Sequence, residues 1–365
     1  MKCRNKRKTP LFWGLTFRAI LIVAGSAMIL SYLSIFINPS KFGFPLFFGL
    51  YFIPILFLNL ILFCIALIKK SKSIWIPIVV ILPSLLFTDL FYKIGSKNVS
   101  EKEGIKIKIE SYNVGMFHAS QKKLDRNECR QNIINHILEE NPDIACLQEF
   151  SVESFKQADT LLKTIYPYRF YHLFKVRNNR FFGNITFSKF PIFDTGKISF
   201  KESTNLSIYT DINHFGRKIR VYNNHLESYN ISFTSLVKRF GNKDINSEKI
   251  KNDIKDVHEK MLGTFIKRSD QVNLILDNIK RSNHPAIICG DFNDTPMSYT
   301  YHMLSIGRKD TFKESGKGFG STFYHLWPLL RIDYILYPKE YESINHKINR
   351  QEFSDHYPIS AEIII

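Results

Sequence analysis

The sequence predicts an α/β protein in which a sandwich of two β-sheets follows an amino-terminal bundle of three transmembrane helices. Two observations predict this fold class. The first hundred of the 365 residues contain three long apolar runs, and the remainder contains many short strand-like runs with few helices between them. We expect a transmembrane anchor over residues 1–95 and one globular domain over residues 104–365, because about 260 residues are ample for a single core.

The amino-terminal apolar runs lie at about residues 11–37, 42–68 and 74–92. At 1.5 Å per helical residue, each is long enough to cross a hydrocarbon core about 30 Å thick, so each predicts a transmembrane helix. A cleaved signal peptide is the alternative for the first run. That run exceeds the usual apolar length of a signal peptide and lacks an obvious small-residue cleavage site.

Basic residues around these runs predict a multi-pass protein of the cell membrane with an inside amino terminus. Five basic residues precede the first run and three follow the second, whereas the connection between them has only Lys41. Because positive loops tend to stay on the cytoplasmic side, the globular domain is expected on the non-cytoplasmic side. If the third run, which contains Pro77 and Pro83, does not span, the domain faces the cytoplasm instead. The five cysteines show no disulfide framework and weakly favour the cytoplasm.

Net charge separates the two parts of the chain. The whole chain carries +17, and residues 1–99 contribute 12 basic and one acidic side chain, which leaves +6 for the rest. Much of the basic character therefore belongs to the membrane flanks. A net charge of +6 suits a phosphate-rich ligand without requiring nucleic acid.

The globular part begins with residues 105–113, which alternate apolar and polar side chains like an antiparallel or edge strand. A helix face follows and ends at Asn141–Pro142. Residues 143–149 form a mostly apolar run that predicts a central strand. Further strands are expected at residues 182–188, 206–212, 218–225, 285–290, 332–337 and 357–364, and the longest helix at about 243–281.

Polar motifs follow most of these strand-like runs. In chain order they are Asn113 in SYNVG, Glu149 in LQEF, His225 in NNHLES, Asp291 and Asn293 in GDFND, Arg331 and Asp333 in RID, and Asp355 and His356 in SDHYP. Such placement would deliver carboxylates, amides and imidazoles to one rim of a sheet. Cleavage of a phosphate ester needs a hard cation, a group that activates water, and donors to the phosphoryl oxygens. Oxygen ligands such as Glu149 and Asp333 suit Mg²⁺ or Mn²⁺.

On these motifs, the chain resembles the endonuclease/exonuclease/phosphatase superfamily, the DNase I-like group, over roughly residues 105–365. The resemblance implies a DNase I-like α/β sandwich and metal-dependent hydrolysis of phosphate esters. It implies that Glu149 is the principal metal ligand, with Asn113 close by and Asp333 completing or supporting the metal shell.

The same resemblance implies roles for the remaining motif residues. Asp291 would orient or deprotonate the attacking water, and Asn293 would hold the phosphate or the aspartate. His356 would donate to a phosphoryl oxygen, with its ring fixed by Asp355, and His225 would be a second donor.

One departure concerns the segment before the strand at 182–188. Where relatives that cleave abasic sites place a tyrosine, this chain has Phe181-Phe182-Gly183-Asn184. Asn184 offers an amide in place of the phenol, so we expect Asn184 to bind the substrate. We expect the same role of Arg331 in the RID motif. Residues 171–180 interleave aromatic and basic side chains, and either a phosphate-binding loop or a solvated hairpin fits that pattern.

The sequence thus predicts a membrane-anchored hydrolase that cleaves a phosphodiester or phosphomonoester with Mg²⁺ or Mn²⁺. Nucleic acid, a phospholipid headgroup and a phosphorylated small molecule all remain open as substrates. The alternative is a catalytically silent binding or scaffolding protein on the same fold. The expected partners are the phosphate-ester substrate and the lipid bilayer, and no obligate protein partner is evident.

Overall fold

A computed structural model describes residues 11–95, 104–176, 179–229 and 247–365. The chain divides into a smaller helical unit, made mainly of the residues up to Thr88, and a larger α/β unit that begins at Asp89. Within the described residues the smaller unit contains α1 (Leu11–Leu33), α2 (Phe44–Leu50), α3 (Phe52–Ile68) and α4 (Trp75–Ile81), followed by a 3₁₀-helix (Leu82–Leu90).

The prediction of three transmembrane helices is not supported by these elements. Among the described residues, one helix, over Gly14–Leu33, is long and apolar enough to cross a membrane. α2 and α3 meet at a bend of 75° and count as at most one further span. The third apolar run, which contains Pro77 and Pro83, forms a short α-helix and then the 3₁₀-helix. Proline removes a backbone donor and clashes with the preceding turn, which explains the interruption.

The α/β unit contains five α-helices and fourteen strands in the part of the chain that the structure describes. The helices are α5 (Arg126–Glu140), α6 (Phe155–Thr160), α7 (Ser247–Arg281), α8 (Tyr299–Ser305) and α9 (Thr311–Ser315). The strands are β1 (Tyr92–Lys93), β2 (Lys106–Asn113), β3 (Ile144–Val152), β4 (Tyr168–Val176), β5 (Arg180–Ser188), β6 (Ile192–Ser199), β7 (Leu206–His214), β8 (Arg217–His225), β9 (Ala286–Asp291), β10 (Arg308–Asp310), β11 (Gly318–Phe319), β12 (Asp333–Pro338), β13 (Glu342–Ile348) and β14 (Ile359–Ile364).

The predicted two-sheet sandwich is confirmed. One six-stranded sheet has the order β10-β12-β9-β8-β7-β6, the other has the order β13-β14-β2-β3-β5-β4, and β1 pairs with β11 separately. Buried aliphatic side chains of both sheets form one core cluster, with Ile109 and Cys146 from one sheet and Val221 and Ile287 from the other. α5 covers the outer face of the second sheet through Ile133 and its neighbours.

Sequence signals explain where α5 begins and ends. Asp125 accepts hydrogen bonds from the backbone N–H groups of Asn127 and Glu128, which caps the first turn. The helix ends at Asn141, which adopts a left-handed conformation with φ of 48°. Pro142 follows directly, so the predicted helix end is confirmed.

Candidate active site

Strand register brings parts of five strands to one edge of the sandwich. β2 and β3 run parallel with Asn113 opposite Gln148, and β8 and β9 run parallel with His225 opposite Asp291. β12 runs antiparallel to β9 and starts with Asp333 opposite Asp291. The polar motifs that are far apart in the sequence therefore meet at one edge, as the strand-end pattern predicts.

Close packing of β9 against β8 requires a glycine next to Asp291. Gly290 has φ of 133°, and a Cβ atom built there would lie 2.0 Å from the backbone oxygen of Asn224. Any side chain at this position would push the two strands apart. The glycine of the GDFND motif therefore serves the register that places Asp291 beside His225.

Glu149 is displaced from the regular strand pattern by a bulge. The pairing of β3 with β5 shifts between Leu147 and Phe150, and Glu149 has φ of 49°. A positive φ is uncommon for a residue with a side chain, and bulges next to active sites turn a side chain out of the normal alternation. The bulge leaves Glu149 partly exposed, whereas Gln148 and Phe150 on either side are buried.

Asp291 is the centre of a hydrogen-bonded group. Its Oδ2 atom accepts from Asn113 Nδ2 at 2.9 Å and from Asn293 Nδ2 at 3.2 Å, and its Oδ1 atom accepts from the backbone N–H of Asn293 at 2.7 Å. Burial and the charge of Asp333 raise the pKa of Asp291 to about 6, against the opposing effects of His356 and His225. Asp291 therefore remains ionised at neutral pH and accepts a proton more readily than an ordinary aspartate.

His356 lies between two buried carboxylates. Its Nδ1 atom is 2.9 Å from Oδ2 of Asp333, and its Nε2 atom is 3.7 Å from Oδ2 of Asp291. Burial alone would lower the pKa of His356, but Asp333 and Asp291 raise it well above the ordinary value. The ring is thus held protonated, so its Nε2–H can donate while its Nδ1–H faces Asp333.

The residue that fixes the His356 ring is Asp333, and this corrects the expectation that Asp355 does so. The carboxylate of Asp355 instead accepts from Ser354 Oγ at 3.2 Å. After burial, its charge is the main cause that raises the pKa of Glu149. Asp355 therefore acts electrostatically on Glu149, while its catalytic role stays a prediction.

His225 lies close to two acidic residues of the site. Its Nε2 atom lies 3.6 Å from Glu149 Oε1 and 3.9 Å from Asp291 Oδ2. Burial lowers the pKa of His225 despite the charge of Asp291. His225 thus has the opposite pKa shift from His356.

The donor set at this edge fits a hard divalent cation. Carboxylate oxygens of Asp291 and Asp333 lie within 4.8 Å of each other, and the protonated ring of His356 beside them is not a metal ligand. The buried Oδ1 atom of Asp333 has no hydrogen-bond partner among the described residues. Glu149 is a carboxylate whose pKa is raised by burial and by Asp355. A cation beside Glu149 would offset both effects, and oxygen ligands favour magnesium-type ions.

The two residues predicted to bind the substrate, Arg331 and Asn184, form hydrogen bonds within the protein instead. Arg331 is buried, forms an ion pair with Asp310 and donates to the backbone oxygen of Leu90 at 2.9 Å. Asn184 is buried and donates to the backbone oxygens of Leu206 and Asn223 at 3.2 and 3.0 Å. These contacts do not support the substrate-binding role that was expected of either residue.

The structure also reveals a supporting residue that sequence reasoning missed. Arg268 on α7 is fully buried and donates to the backbone oxygens of Glu227 and Asn293 at 3.0 and 2.8 Å. Its Nε atom lies 3.2 Å from Asp294 Oδ2. Arg268 therefore joins the segments that follow His225 and Asp291. It belongs to no motif, and a basic residue in a charge-rich helix gives no local signal of burial.

Comparison with known proteins gives two family matches. The sequence profile of the Endonuclease/Exonuclease/phosphatase family matches residues 111–356, and that of a domain of unknown function (DUF8431) matches residues 12–89. No curated protein matches the chain.

Solved structures similar to this chain share its fold. An endonuclease/exonuclease/phosphatase from Beutenbergia cavernae has a TM-score of 0.53 at 15% identity, over 71% of this chain and 72% of the other. A family protein from Bacteroides thetaiotaomicron has a TM-score of 0.50 at 16% identity, over 72% and 99%. One from Leptotrichia buccalis has a TM-score of 0.50 at 19% identity, over 71% and 100%.

Proposed function

Because the chain belongs to the Endonuclease/Exonuclease/phosphatase family over residues 111–356, we propose that it is a divalent-metal-dependent hydrolase of phosphate esters. The observation that carries the proposal is the contact of Asp291 with both Asn113 and Asn293, beside a His356 ring held by Asp333. Water activation and charge stabilisation at phosphorus need this combination of an acceptor, amides and a protonated imidazole.

The cation would be held by Glu149, with Asn113, Asp333 and Asp355 around it. When bound, a magnesium-type ion supplies positive charge that offsets the negative charge developing on the phosphoryl oxygens. The raised pKa of Glu149 and the unsatisfied Oδ1 atom of Asp333 support this assignment.

Asp291 orients the attacking water and accepts its proton. Its Oδ2 atom is fixed by Asn113 and Asn293, so the carboxylate cannot rotate freely. A pKa of about 6 makes Asp291 a stronger base than an ordinary aspartate while leaving it ionised at neutral pH.

His356 donates a hydrogen bond to a phosphoryl oxygen. Asp333 accepts from Nδ1, which leaves the Nε2–H free to face the substrate on the side of Asp291. The imidazolium stabilises the extra negative charge of the transition state, and Asp333 keeps it charged. His225, whose pKa is lowered, contributes a neutral ring at the same edge.

Enzymatic activity is tested with bis(p-nitrophenyl) phosphate and the full chain in detergent. Hydrolysis with Mg²⁺ or Mn²⁺ that EDTA abolishes is expected. Glu149→Ala, Asp291→Ala and His356→Ala should each lose activity without loss of folded structure by circular dichroism. Glu139→Gln, an exposed change on α5, is the matched control. Hydrolysis without metal, or full activity in all three variants, would reject the mechanism.

We further propose that α1 anchors the protein to a membrane. Only 28% of the most apolar stretch of α1 is buried, and the side chains of Leu15 and Val23 are more than half exposed. The core helix of a soluble protein would bury these side chains. Resistance to alkaline carbonate extraction tests the anchor, and release into the soluble fraction contradicts it. With an inside amino terminus, one span places the catalytic unit outside the cytoplasm and two spans place it inside. A topology reporter fused after Ile94 distinguishes the two arrangements.

A further inference from the structure

Three arginine side chains gather beside the strand that carries Glu149. Arg126 and Arg130 lie in the first turns of α5, and Arg180 begins β5. Burial and the charge of Arg180 lower the pKa of Arg126, and Arg130 adds to this effect while Glu153 opposes it. Guanidinium groups that affect one another in this way form one basic group, which we call the arginine cluster.

The carboxylates around the arginine cluster do not balance it. Glu153 Oε1 lies 3.1 Å from Arg180 Nη1, but the Glu153 side chain is 65% exposed. Glu128 is two residues from both Arg126 and Arg130 on α5, and residues at that spacing do not face each other. Among the described residues, Glu153 is the carboxylate that forms an ion pair with the arginine cluster, and it is exposed.

Asp125, which directly precedes Arg126, caps α5. It accepts from the backbone N–H groups of Asn127 and Glu128 as the amino-terminal cap of α5. The Asp125 carboxylate is therefore engaged by the backbone of α5.

Two guanidinium nitrogens of the cluster lack acceptors. Among the described residues, the buried Nε atom of Arg126 and the buried Nη1 atom of Arg130 have no hydrogen-bond partner. A buried N–H group without an acceptor is unfavourable, more so when it is charged. An anionic ligand with several oxygens would balance the charge of the cluster.

The arginine cluster adjoins the candidate active site. Arg180 Nε and Nη2 each lie 3.4 Å from Ser151 Oγ. Ser151 follows Glu149 by two residues, which is about 7 Å along an extended strand. α5, which carries the other two arginines, follows the strand that ends at Asn113. A molecule bound at Glu149 would therefore extend towards the arginine cluster.

We propose that Arg126, Arg130 and Arg180 form a subsite for a second phosphate group of the substrate, next to the phosphate that is cleaved. The inference rests on the proposed function. Arginine suits this role because its planar fork binds phosphate oxygens in pairs. The substrate is accordingly a molecule with at least two phosphate groups, such as an oligonucleotide or a multiply phosphorylated headgroup, rather than one with a single phosphodiester.

The test compares ligands with one and two phosphates by isothermal titration calorimetry on the full chain in detergent with Mg²⁺. Thymidine 3′,5′-bisphosphate should bind about tenfold tighter than thymidine 5′-monophosphate. In the Arg126→Gln/Arg180→Gln double variant this ratio should fall towards one. Arg281→Gln is the matched control. Arg281 is exposed and is the last residue of α7. It lies before the first residue of β9, whereas Asp291 is the last residue of that strand. The Arg281→Gln variant should therefore keep the affinity ratio.

A parallel pair, inositol 1,4-bisphosphate and inositol 1-phosphate, distinguishes a nucleotide source of the phosphate from an inositol source. A ratio that is the same in the wild type and the double variant overturns the subsite. Should the double variant melt at a lower temperature, Arg130→Gln alone provides the comparison. Absence of bis(p-nitrophenyl) phosphate hydrolysis in the wild type would count against the proposed function, whereas the binding ratio tests the subsite independently.

Discussion

The Nδ1 atom of His356 lies 2.9 Å from Oδ2 of Asp333, although the neighbour of His356 in the sequence is Asp355. Asp333 begins β12, and the loop before β14 carries His356. The acidic partner of the histidine therefore comes from the other sheet of the sandwich. Asp355 raises the pKa of His356 less than Asp333 and Asp291 do, and it also raises the pKa of Glu149.

Replacing Asp333 should impair turnover by removing the group that holds the histidine charged. We expect Asp333→Asn to lower kcat for bis(p-nitrophenyl) phosphate by roughly 10²- to 10⁴-fold, as for loss of the partner of a catalytic histidine. Asp355→Asn should act mainly by changing the Mg²⁺ concentration that is needed. Adding Asp333→Asn to His356→Ala should cause little further loss, because the two residues act together. Independent, multiplicative losses would contradict this pairing.

Replacing Glu149 should weaken metal binding more than it disturbs the fold. Glu149→Gln keeps the size of the side chain but removes the charge at the bulge of β3. We expect the Mg²⁺ concentration for half-maximal activity to rise by at least about tenfold. Mn²⁺ binding followed by electron paramagnetic resonance provides a readout besides activity. An unchanged Mn²⁺ affinity would exclude Glu149 as the principal ligand.

Truncating Arg268 should destabilise the α/β unit. Arg268→Ala removes the cation from the buried ion pair with Asp294, and loss of one member of a buried ion pair lowers the free energy of unfolding by about 3–5 kcal/mol. The neighbouring Lys267→Ala is the control. Lys267 makes a half-exposed ion pair with Glu227 at 3.3 Å, and such pairs contribute about 1 kcal/mol or less. Denaturant melts measure both, and equal effects would refute the supporting role of Arg268.

The stability of the fold should fall in acid partly through Glu140. Burial raises the pKa of Glu140, but hydrogen bonds from Lys108 and Asn349 outweigh it and lower the pKa from 4.5 to about 2. Because the pKa is lower in the folded state, the stabilisation is complete above about pH 4.5 and is lost as the pH falls towards 2. Glu140→Gln should be less stable at pH 7 and lose less stability between pH 4.5 and 2. Parallel melting curves for both proteins across that interval would contradict the prediction.

Most strands could be predicted because their signal is local. The expected strands at 206–212 and 218–225 correspond to β7 (Leu206–His214) and β8 (Arg217–His225). The apolar run before Asp291 becomes β9, which is buried along its length. In contrast, β6 and β13 are partly exposed and were not predicted, since their side chains alternate without a clear apolar face.

Membrane spans were overpredicted for a related reason. Apolar composition indicates that a segment is shielded from water, but it does not indicate whether the segment forms one straight helix. The bend of 75° between α2 and α3 and the 3₁₀-helix after α4 break two of the three runs. The backbone conformation at the prolines and at Tyr51 decides where a helix bends or ends, and a hydropathy profile contains no information on that conformation.

The sequence by itself determined which chemical groups this protein brings to its site and that they would stand at strand ends, because apolar runs and the polar residues that end them are local features. Tertiary structure alone decided which groups meet. The pairing of His356 with Asp333, the use of Arg331 by Asp310 and the burial of Arg268 all depend on contacts between segments far apart in the chain. A side chain's partner follows from strand register and packing, and residue order does not encode either one locally.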